Sequence, residues 1–260
     1  MHRSLSYIDP QAKLAKNVVV EPFVTIEKNV EIGSGTWIGS NVTIMEGARI
    51  GENCEIFPGA VISAIPQDLK FEGEESLAII GDNTIIRECA TINRATKATG
   101  KTIVGKNCLI MAYAHIAHDC VIGNNAIVVN NVAMGGHVEI GEHAIIGGLT
   151  AVHQFIKIGK HCMVSGGSLV RKDIPPYVKA GREPLSFIGI NSIGLRRKKF
   201  SESEITEIQD IYRILYQKGN NNTQAINKIE IDFKISEIRD EIISFVRNSG
   251  RGIMRGYNQK

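Results

Sequence analysis

The sequence predicts a parallel β-helix over its first two-thirds and a small α-helical domain after it. Three observations carry that reading: an aliphatic residue at every sixth position, a small residue four places after it, and a change to helical spacing near residue 200. The six-residue series runs Ile8, Leu14, Val20, Ile26, Ile32, Ile38, Ile44, Ile50, Ile56, Ile62. It resumes in phase at Ile80, Ile86 and Ile92. It resumes again at Val104 and continues through Ile110, Ile116, Ile122, Val128, Met134, Ile140, Ile146, Val152, Ile158 and Val164 to Val170. All 25 positions are aliphatic or methionine. A helical stripe repeats at 3.6 residues and an isolated strand at 2, so neither accounts for a period of six.

The small slot is filled by Ala12, Val18, Val24, Val30, Thr36, Val42, Ala48, Cys54 and Ala60, and later by Cys108, Ala114, Cys120 and Ala126. Glycine often follows the aliphatic residue, as at Gly33, Gly39, Gly51, Gly105, Gly123, Gly141 and Gly159. A short strand with its aliphatic residue inward, then a tight corner with a small residue inside, satisfies this spacing. Repeats of so short a period mark a solenoid whose stacked coils share one core. Four of the five cysteines, Cys54, Cys108, Cys120 and Cys162, occupy the small inward slot. With no CxxC pair and no metal-like spacing, they read as reduced packing residues.

The chain has 260 residues, 43% of them hydrophobic, and a net charge of +3. That balance argues against disorder and against a dedicated nucleic-acid binder. No run approaches the roughly 18 apolar residues of a membrane helix. The first ten residues, Met1 to Pro10, contain no apolar signal segment, so the expected location is cytoplasmic with no stable membrane insertion.

Two stretches break the repeat, at about residues 63–79 and 94–103. Loops that project from a regular prism are natural places for function, because the repeat asks nothing of them. The repeat ends at Ile174-Pro175-Pro176-Tyr177. Ser201-Glu202-Ser203-Glu204 then reads as a capping box ahead of Ile205, Ile208, Ile211, Tyr212 and Leu215, with Gly219 as the stop. Further helices are expected near Thr223–Ile231 and from Ser236 through Ile238, Ile242, Phe245 and Val246. The domains are therefore a β-helix over 1–190 and a helical domain over 191–260.

The pattern resembles the hexapeptide-repeat acyltransferases, which implies a left-handed coil, three-sided, with about 18 residues per turn. On that register His118 stacks over Gly136 and Gln154, Asp119 over His137 and Phe155, and Ala117 over Gly135 and His153. His115, His118, His137 and His153 thus gather near one edge, four of the chain's seven histidines. Three readings fit such an edge: polar turn positions with no chemistry, a zinc site of the kind some hexapeptide-repeat carbonic anhydrases hold between subunits, or general-base catalysis. In the last, a neutral imidazole takes a hydroxyl proton, a carboxylate orients it, and a glycine N–H holds the oxyanion.

The segments Ile65-Pro66-Gln67-Asp68-Leu69-Lys70, His115-Ile116-Ala117-His118-Asp119-Cys120, Gly136-His137, Ala151-Val152-His153-Gln154-Phe155, Asp173-Ile174-Pro175-Pro176-Tyr177 and Gly194-Leu195-Arg196-Arg197 narrow the resemblance. They are similar to the UDP-N-acetylglucosamine O-acyltransferase family of lipid A biosynthesis. The resemblance implies transfer of a 3-hydroxyacyl chain from acyl carrier protein to the glucosamine 3-hydroxyl of UDP-N-acetylglucosamine, with no cofactor and no metal. It makes His118 the general base, Asp119 its orienter and Gly136 the oxyanion donor. Asp68, Lys70, His115, His137 and Gln154 would contact sugar, phosphate or acyl group, and His153 would shape the pocket. Asn191 and Arg197 would reach the nucleotide end, where an acidic residue frequent in the family is replaced by Ile193.

The resemblance also implies a homotrimer with active sites in clefts between prisms, and the outward aliphatics Leu109, Ile127 and Ile145 would suit such contacts. Gly166 stands where a bulkier residue shortens the acyl groove in the family, so a chain of fourteen carbons or more is expected. It is 48 residues from His118, not a multiple of 18, and therefore lies on a different face. Arg171-Lys172 and Arg196-Arg197-Lys198-Lys199 are the basic candidates for docking an acidic carrier. Another hexapeptide-repeat acyltransferase or acetyltransferase is the alternative. A glucosamine N-acyltransferase of the same pathway would normally carry a uridine-binding domain ahead of the prism, and here repeats begin at residue 8.

Overall fold

The computed structural model describes residues 5–217 and 219–256. Three parallel sheets form the sides of a triangular prism. Sheet A has nine strands from Tyr7–Ile8 to Leu169–Val170, and sheet B has eight from Lys13–Leu14 to Lys157–Ile158. Sheet C opens with Val19–Val20 and has eleven strands. Consecutive strands never pair with each other along the prism; each pairs with the strand one coil away. His115 lies opposite Ala133, Ala133 opposite Ala151 and Ala151 opposite Leu169, each 18 residues on.

Side-chain direction explains the strand length. Of the two residues in a typical strand, one points out and the aliphatic one points in, where Ile26, Ile38, Ile44, Ile110, Ile116 and Ile146 are fully buried. Removing such a side chain from water contributes roughly 1.5–3 kcal/mol, and a column of them makes the core continuous. Cys54, Cys108, Cys120 and Cys162 lie in that core. Burial pushes the thiols of Cys120 and Cys162 up to about 12, which leaves them unreactive near neutral pH.

Each strand then turns through about a third of a circle, and at most corners the third residue after the inward aliphatic takes a left-handed backbone. Asn17, Asn29, Asn41, Asn53, Asn83, Asn107, Asn125 and Asn131 hold this place with φ between 52 and 64°. Asparagine is among the few side chains that accept this conformation readily. Asp119, His137 and Phe155 hold the same place at the corner between sheets A and B, and His143 and His161 at the corner between B and C.

The two interruptions are accommodated without loss of phase. Ile62 pairs with Ile92 across the first, and Ile92 with Ile116 across the second. Residues 65–76 and 94–100 lie outside strands as loops on the surface of the prism.

Past Val170 the repeat gives way to an antiparallel hairpin, Val178–Gly181 with Ser186–Ile190, which extends sheet C. Four helices follow: α1 (Ser192–Arg197), α2 (Glu202–Gln217), α3 (Asn222–Asp232) and α4 (Glu237–Arg247). The Ser201–Glu204 capping box is present, and Asn221 and Gln224 form another at α3. The Tyr212 hydroxyl donates to the Pro176 carbonyl at 2.6 Å, and Tyr212 and Tyr216 stack on Phe187 of the hairpin, welding α2 to the prism.

Two features of the tail are not indicated by spacing. Helix α1 is a single six-residue element, and Arg255–Gly256 returns as a strand beside Ser186–Ile190. The return is anchored at buried Asp173, whose carboxylate accepts from Ser249 Oγ at 2.6 Å and whose carbonyl accepts from Met254 N. Among the described residues no helix is long and apolar enough to cross a membrane.

Candidate active site

The corner between sheets A and B carries the histidine edge. His118 and Asp119 occupy the turn that follows the strand His115–Ile116, with Gly136–His137 and Gln154–Phe155 in the same places on the next two coils. The backbone makes the stacking direct: His137 N donates to His118 O, and Phe155 N to Gly136 O. The His137 ring stacks on Phe155 with centroids 4.4 Å apart, and meets the His118 ring edge-on at 5.3 Å.

Asp119 is the electrostatic centre of this corner. Its side chain has no exposed surface, and its Oδ2 lies 2.7 Å from His118 Nδ1 and 3.8 Å from His137 Nε2. Oδ2 also accepts from Thr96 Oγ1 at 2.8 Å, and Oδ1 accepts from Thr99 N at 3.2 Å and from the Thr99 hydroxyl. Thr96 N donates to both oxygens, and Thr102 Oγ1 accepts from the Asp119 N–H. Burial alone would raise the Asp119 pKa, but hydrogen bonds from Thr99, His118 and Thr96 outweigh it and hold the carboxyl below its ordinary value. An ionised carboxylate has no proton to donate. His118 Nδ1 therefore carries the hydrogen, and Nε2 is the basic atom of the ring.

Gly136 packs flat against that ring. A Cβ there would meet His118 Cε1 at 2.5 Å and Nε2 at 2.7 Å, so any side chain would displace the imidazole. His115 sits on the strand beside the corner with Nδ1 2.7 Å from Thr91 Oγ1, and burial, then the charge of His118, lowers its pKa. His153 and Gln154 are exposed one coil further along, with His153 Nδ1 donating to the Gln154 carbonyl at 3.1 Å.

The donor atoms of His118, Asp119 and His137 all lie within 4.8 Å of one another, close enough for a metal ion. Two of the three are already committed to hydrogen bonds. Nδ1 of His118 is spent on Asp119, and both carboxylate oxygens are spent on the threonines. The set fits a hydrogen-bonded dyad better than a coordination sphere.

The remaining sites named from sequence lie elsewhere on the chain. Asp68 and Lys70 are on the first loop, where the Asp68 carboxylate accepts from Lys70 N at 3.0 Å. Asn191 is buried as the N-cap of α1: its amide oxygen accepts from Gly194 N, and its Nδ2 donates to His161 O at 2.9 Å. Arg197 ends that helix on the surface, and Ile193 is exposed beside it. Gly166 lies in the turn between sheets C and A, stacked over Gly148; a Cβ on Gly166 would stand 3.0 Å from the Gly148 carbonyl oxygen. Thr91, Thr96, Thr99 and Thr102 were not singled out from sequence. Their one signal is position: three of them sit in the second interruption of the repeat.

Residues 29–64 and 101–136 match the family of bacterial transferase hexapeptide repeats. Residues 173–254 match the second domain of UDP N-acetylglucosamine O-acyltransferases. The acyl-[acyl-carrier-protein]–UDP-N-acetylglucosamine O-acyltransferase of Aquifex aeolicus is 57% identical over 196 residues, 75% of each chain. Its counterpart in Chlorobaculum tepidum is 56% identical over 203 residues, 76% of each. The crystal structure of a UDP-N-acetylglucosamine acyltransferase from Bacteroides fragilis matches with a TM-score of 0.95 at 50% identity, over 98% of this chain and 100% of that one. This chain belongs to the UDP-N-acetylglucosamine O-acyltransferase family. Its prism is a left-handed parallel β-helix of hexapeptide repeats, followed by a small C-terminal helical region.

This O-acyltransferase family member has a second imidazole column, at the corner between sheets B and C. His143 stacks on His161 at 4.9 Å, and His161 on Tyr177 at 5.8 Å, with Phe200 edge-on. Burial, then the charges of His143, Lys160 and Lys198, push the His161 pKa down to about 4. In the unfolded chain the same imidazole titrates near its ordinary value of 6.5. Between those values the unfolded state binds the extra proton, so stability rises with pH through this window and is lost as pH falls from 6.5 towards 4. Denaturant titrations at several pH values are expected to show that slope, and His161→Asn to flatten it. A variant with the parent's slope would place the effect on other groups.

Proposed function

We propose that this chain transfers a long (R)-3-hydroxyacyl chain from acyl carrier protein to the glucosamine 3-hydroxyl of UDP-N-acetylglucosamine, the first step of lipid A biosynthesis. The observation that carries the reading is the His118–Asp119 dyad against Gly136, in a chain of this family. His118 Nε2 takes the proton of the 3-hydroxyl as that oxygen attacks the thioester carbonyl. The C–O bond forms, and the carbonyl oxygen gains negative charge. The carbonyl then re-forms, the C–S bond breaks, and the carrier thiolate takes the proton from Nε2. A positioned base of this kind contributes typically ~10²–10⁴-fold in rate. The Gly136 N–H, matched with no backbone carbonyl among the described residues, is the proposed oxyanion donor, worth roughly 10²–10³-fold. No metal or cofactor enters these steps.

Asp68, Lys70, His115, His137 and Gln154 are the proposed contacts to sugar, phosphate or acyl group, with His153 shaping the pocket. Asn191, which also caps α1, and Arg197 are the proposed contacts at the nucleotide end. A guanidinium suits a diphosphate there. Exposed Ile193 offers that end no charge. For the carrier, the base of the prism offers a cavity of about 380 Å³ whose charged lining is four basic residues, Arg171, Lys172, Arg182 and Arg255, against one acidic residue, Glu183. An acidic protein would dock there through charge complementarity. The reaction is assigned to the cytoplasm, where the carrier and sugar nucleotide are both soluble.

Purified protein with UDP-N-acetylglucosamine and a panel of 3-hydroxyacyl carrier proteins is expected to form the 3-O-acyl product. His118→Ala is expected to lower kcat at least 100-fold. Acetyl-CoA in a parallel reaction separates the alternative of a different hexapeptide-repeat acetyltransferase. Absence of hydroxyacyl transfer, or a rate indifferent to His118, would sink the proposal.

Chain length is proposed to be read at Gly166. Gly148 and Gly166 leave a strip of corner free of side chains, suited to a hydrocarbon. In Gly166→Met the product profile is expected to move to chains several carbons shorter with the folded structure retained. An unchanged profile removes Gly166 from the ruler.

A homotrimer completes the proposal. On sheet C, Ile85, Leu109, Ile127, Ile145 and Met163 stand side by side on five successive strands. Their spacing makes an apolar ladder about 19 Å long. Such a continuous apolar face is suited to a second copy of the chain. Ile127→Glu is expected to shift the sedimentation of the native trimer towards monomer; an intact trimer would place the interface on another face.

A further inference from the structure

The threonine cluster around Asp119 belongs to an insertion that the prism does not need. Ile92 and Ile116 pair across residues 94–100 in correct phase, so the strand ladder closes with or without the loop's side chains. Yet the loop sends its two hydroxyls inward to a single carboxylate. We propose that Thr96 and Thr99 are positioning residues of the acyl transfer, holding Asp119 so that His118 keeps its hydrogen on Nδ1 and its lone pair on Nε2. This inference rests on the proposed role of His118 as base.

The geometry of each hydroxyl supports the assignment. Ala98 N donates to Thr96 Oγ1 at 3.2 Å, which occupies the oxygen and leaves its hydrogen for Asp119 Oδ2 at 2.8 Å. Thr99 serves Oδ1 with both its hydroxyl and its N–H. Between them the two residues address both oxygens, so the carboxylate plane cannot rotate without breaking a bond on either side. One orientation remains for His118 Nδ1, 2.7 Å from Oδ2.

The loop is itself braced. Thr96 O accepts from Gly100 N at 2.9 Å, and Lys97 N donates to Glu74 Oε1 of the first insertion at 2.9 Å. Ser76 Oγ donates to Ala95 O. The fixed loop therefore acts on the base through the carboxylate, not through contact with substrate. Deleting the hydroxyls leaves a buried carboxylate short of donors. It then rotates, or takes up a proton and donates it to Nδ1. His118 in that state carries its hydrogen on Nε2, where it cannot accept another.

The test compares the parent with Thr96→Val/Thr99→Val, Thr99→Val and Thr99→Ser. Each is assayed for kcat and for KM with UDP-N-acetylglucosamine. The histidine ring nitrogens are also read by ¹⁵N NMR in selectively labelled protein. The double variant is expected to lose roughly 10–100-fold in kcat, the range of a disturbed positioned base, with KM within about threefold. Its His118 signal should move away from the Nδ1–H tautomer. Thr99→Ser, which keeps the hydroxyl, is expected to retain parental kcat and tautomer. A double variant with parental kcat overturns the proposal. So does a loss of kcat with the tautomer unchanged, or a loss that Thr99→Ser shares. If the double variant does not fold, Thr99→Val against Thr99→Ser decides by the same criteria. The tautomer is read without turnover, so failure of the acyl-transfer assignment and failure of this one are told apart.

Discussion

The structure depends on one local constraint: an aliphatic side chain points inward from each strand of the repeat, and at most corners a left-handed backbone residue follows it three places later. The first half supplies the core, and the second turns the chain by a third of a circle. Neither works alone. Without the inward column the turns have nothing to pack on, and without the turn the strands would run on as a flat sheet. A non-glycine residue in the left-handed region costs roughly 1–2 kcal/mol unless it is one of the few tolerant types. Asparagine at eight of these places keeps that cost small. The same place is also where a side chain projects from a corner, in register with its counterparts on the coils above and below. The most strained position of the repeat is thus the one best placed to build a column of functional groups.

Other residues take the place as well, Phe23, Cys89, Tyr113, Leu149 and several glycines among them, and two runs of substitution carry ionisable groups. At one corner Asp119, His137 and Phe155 replace asparagine in three successive coils, and at another His143 and His161 do. Aspartate and histidine tolerate the left-handed backbone moderately well, so the exchange is a small conformational loss against a large gain in chemistry. Asp119 shows the terms of that exchange. An unpaired carboxylate moved into a low-dielectric interior loses several kcal/mol of solvation even after relaxation. Here the loss is offset by donors from Thr96, Thr99 and His118, and the net effect holds the group ionised. Gly136 contributes by what it lacks, since only a residue without Cβ lets the imidazole lie over the next coil.

The prism was legible in the sequence because its period is long, regular and phased across both interruptions. The cysteines were legible as packing for the same reason, and the capping box at Ser201–Glu204 because it is local. The 18-residue register alone brings His118, Gly136 and His137 together. What lay beyond reach has a common cause: contacts that no period governs. Helix α1 is too short to show a stripe. The return of Arg255–Gly256 rests on hydrogen bonds to Asp173 some eighty residues away. Thr96 and Thr99 sit in an insertion whose path no repeat dictates, so their convergence on Asp119 has no counterpart in spacing. The hydrogen bonds of Asn191 to Gly194 and to the His161 carbonyl are contacts of the same kind.

Corner geometry also bears on how many chains a site needs. His118 lies where sheet A meets sheet B, Asn191 is fastened at the corner between B and C, and Gly166 lies between C and A. Three corners of a triangular prism face three directions, so no molecule lying on one edge can touch all three within one chain. If the roles proposed for these residues hold, base, nucleotide end and chain-length stop must meet where different corners of neighbouring copies approach. The apolar ladder from Ile85 to Met163 is the proposed face on which copies would pack side by side with their coils in step. A solenoid that assembled with its coils out of step would misplace every column at once. In the proposed trimer the hexad period would therefore set not only where each side chain points but also which level of one chain meets which level of the next.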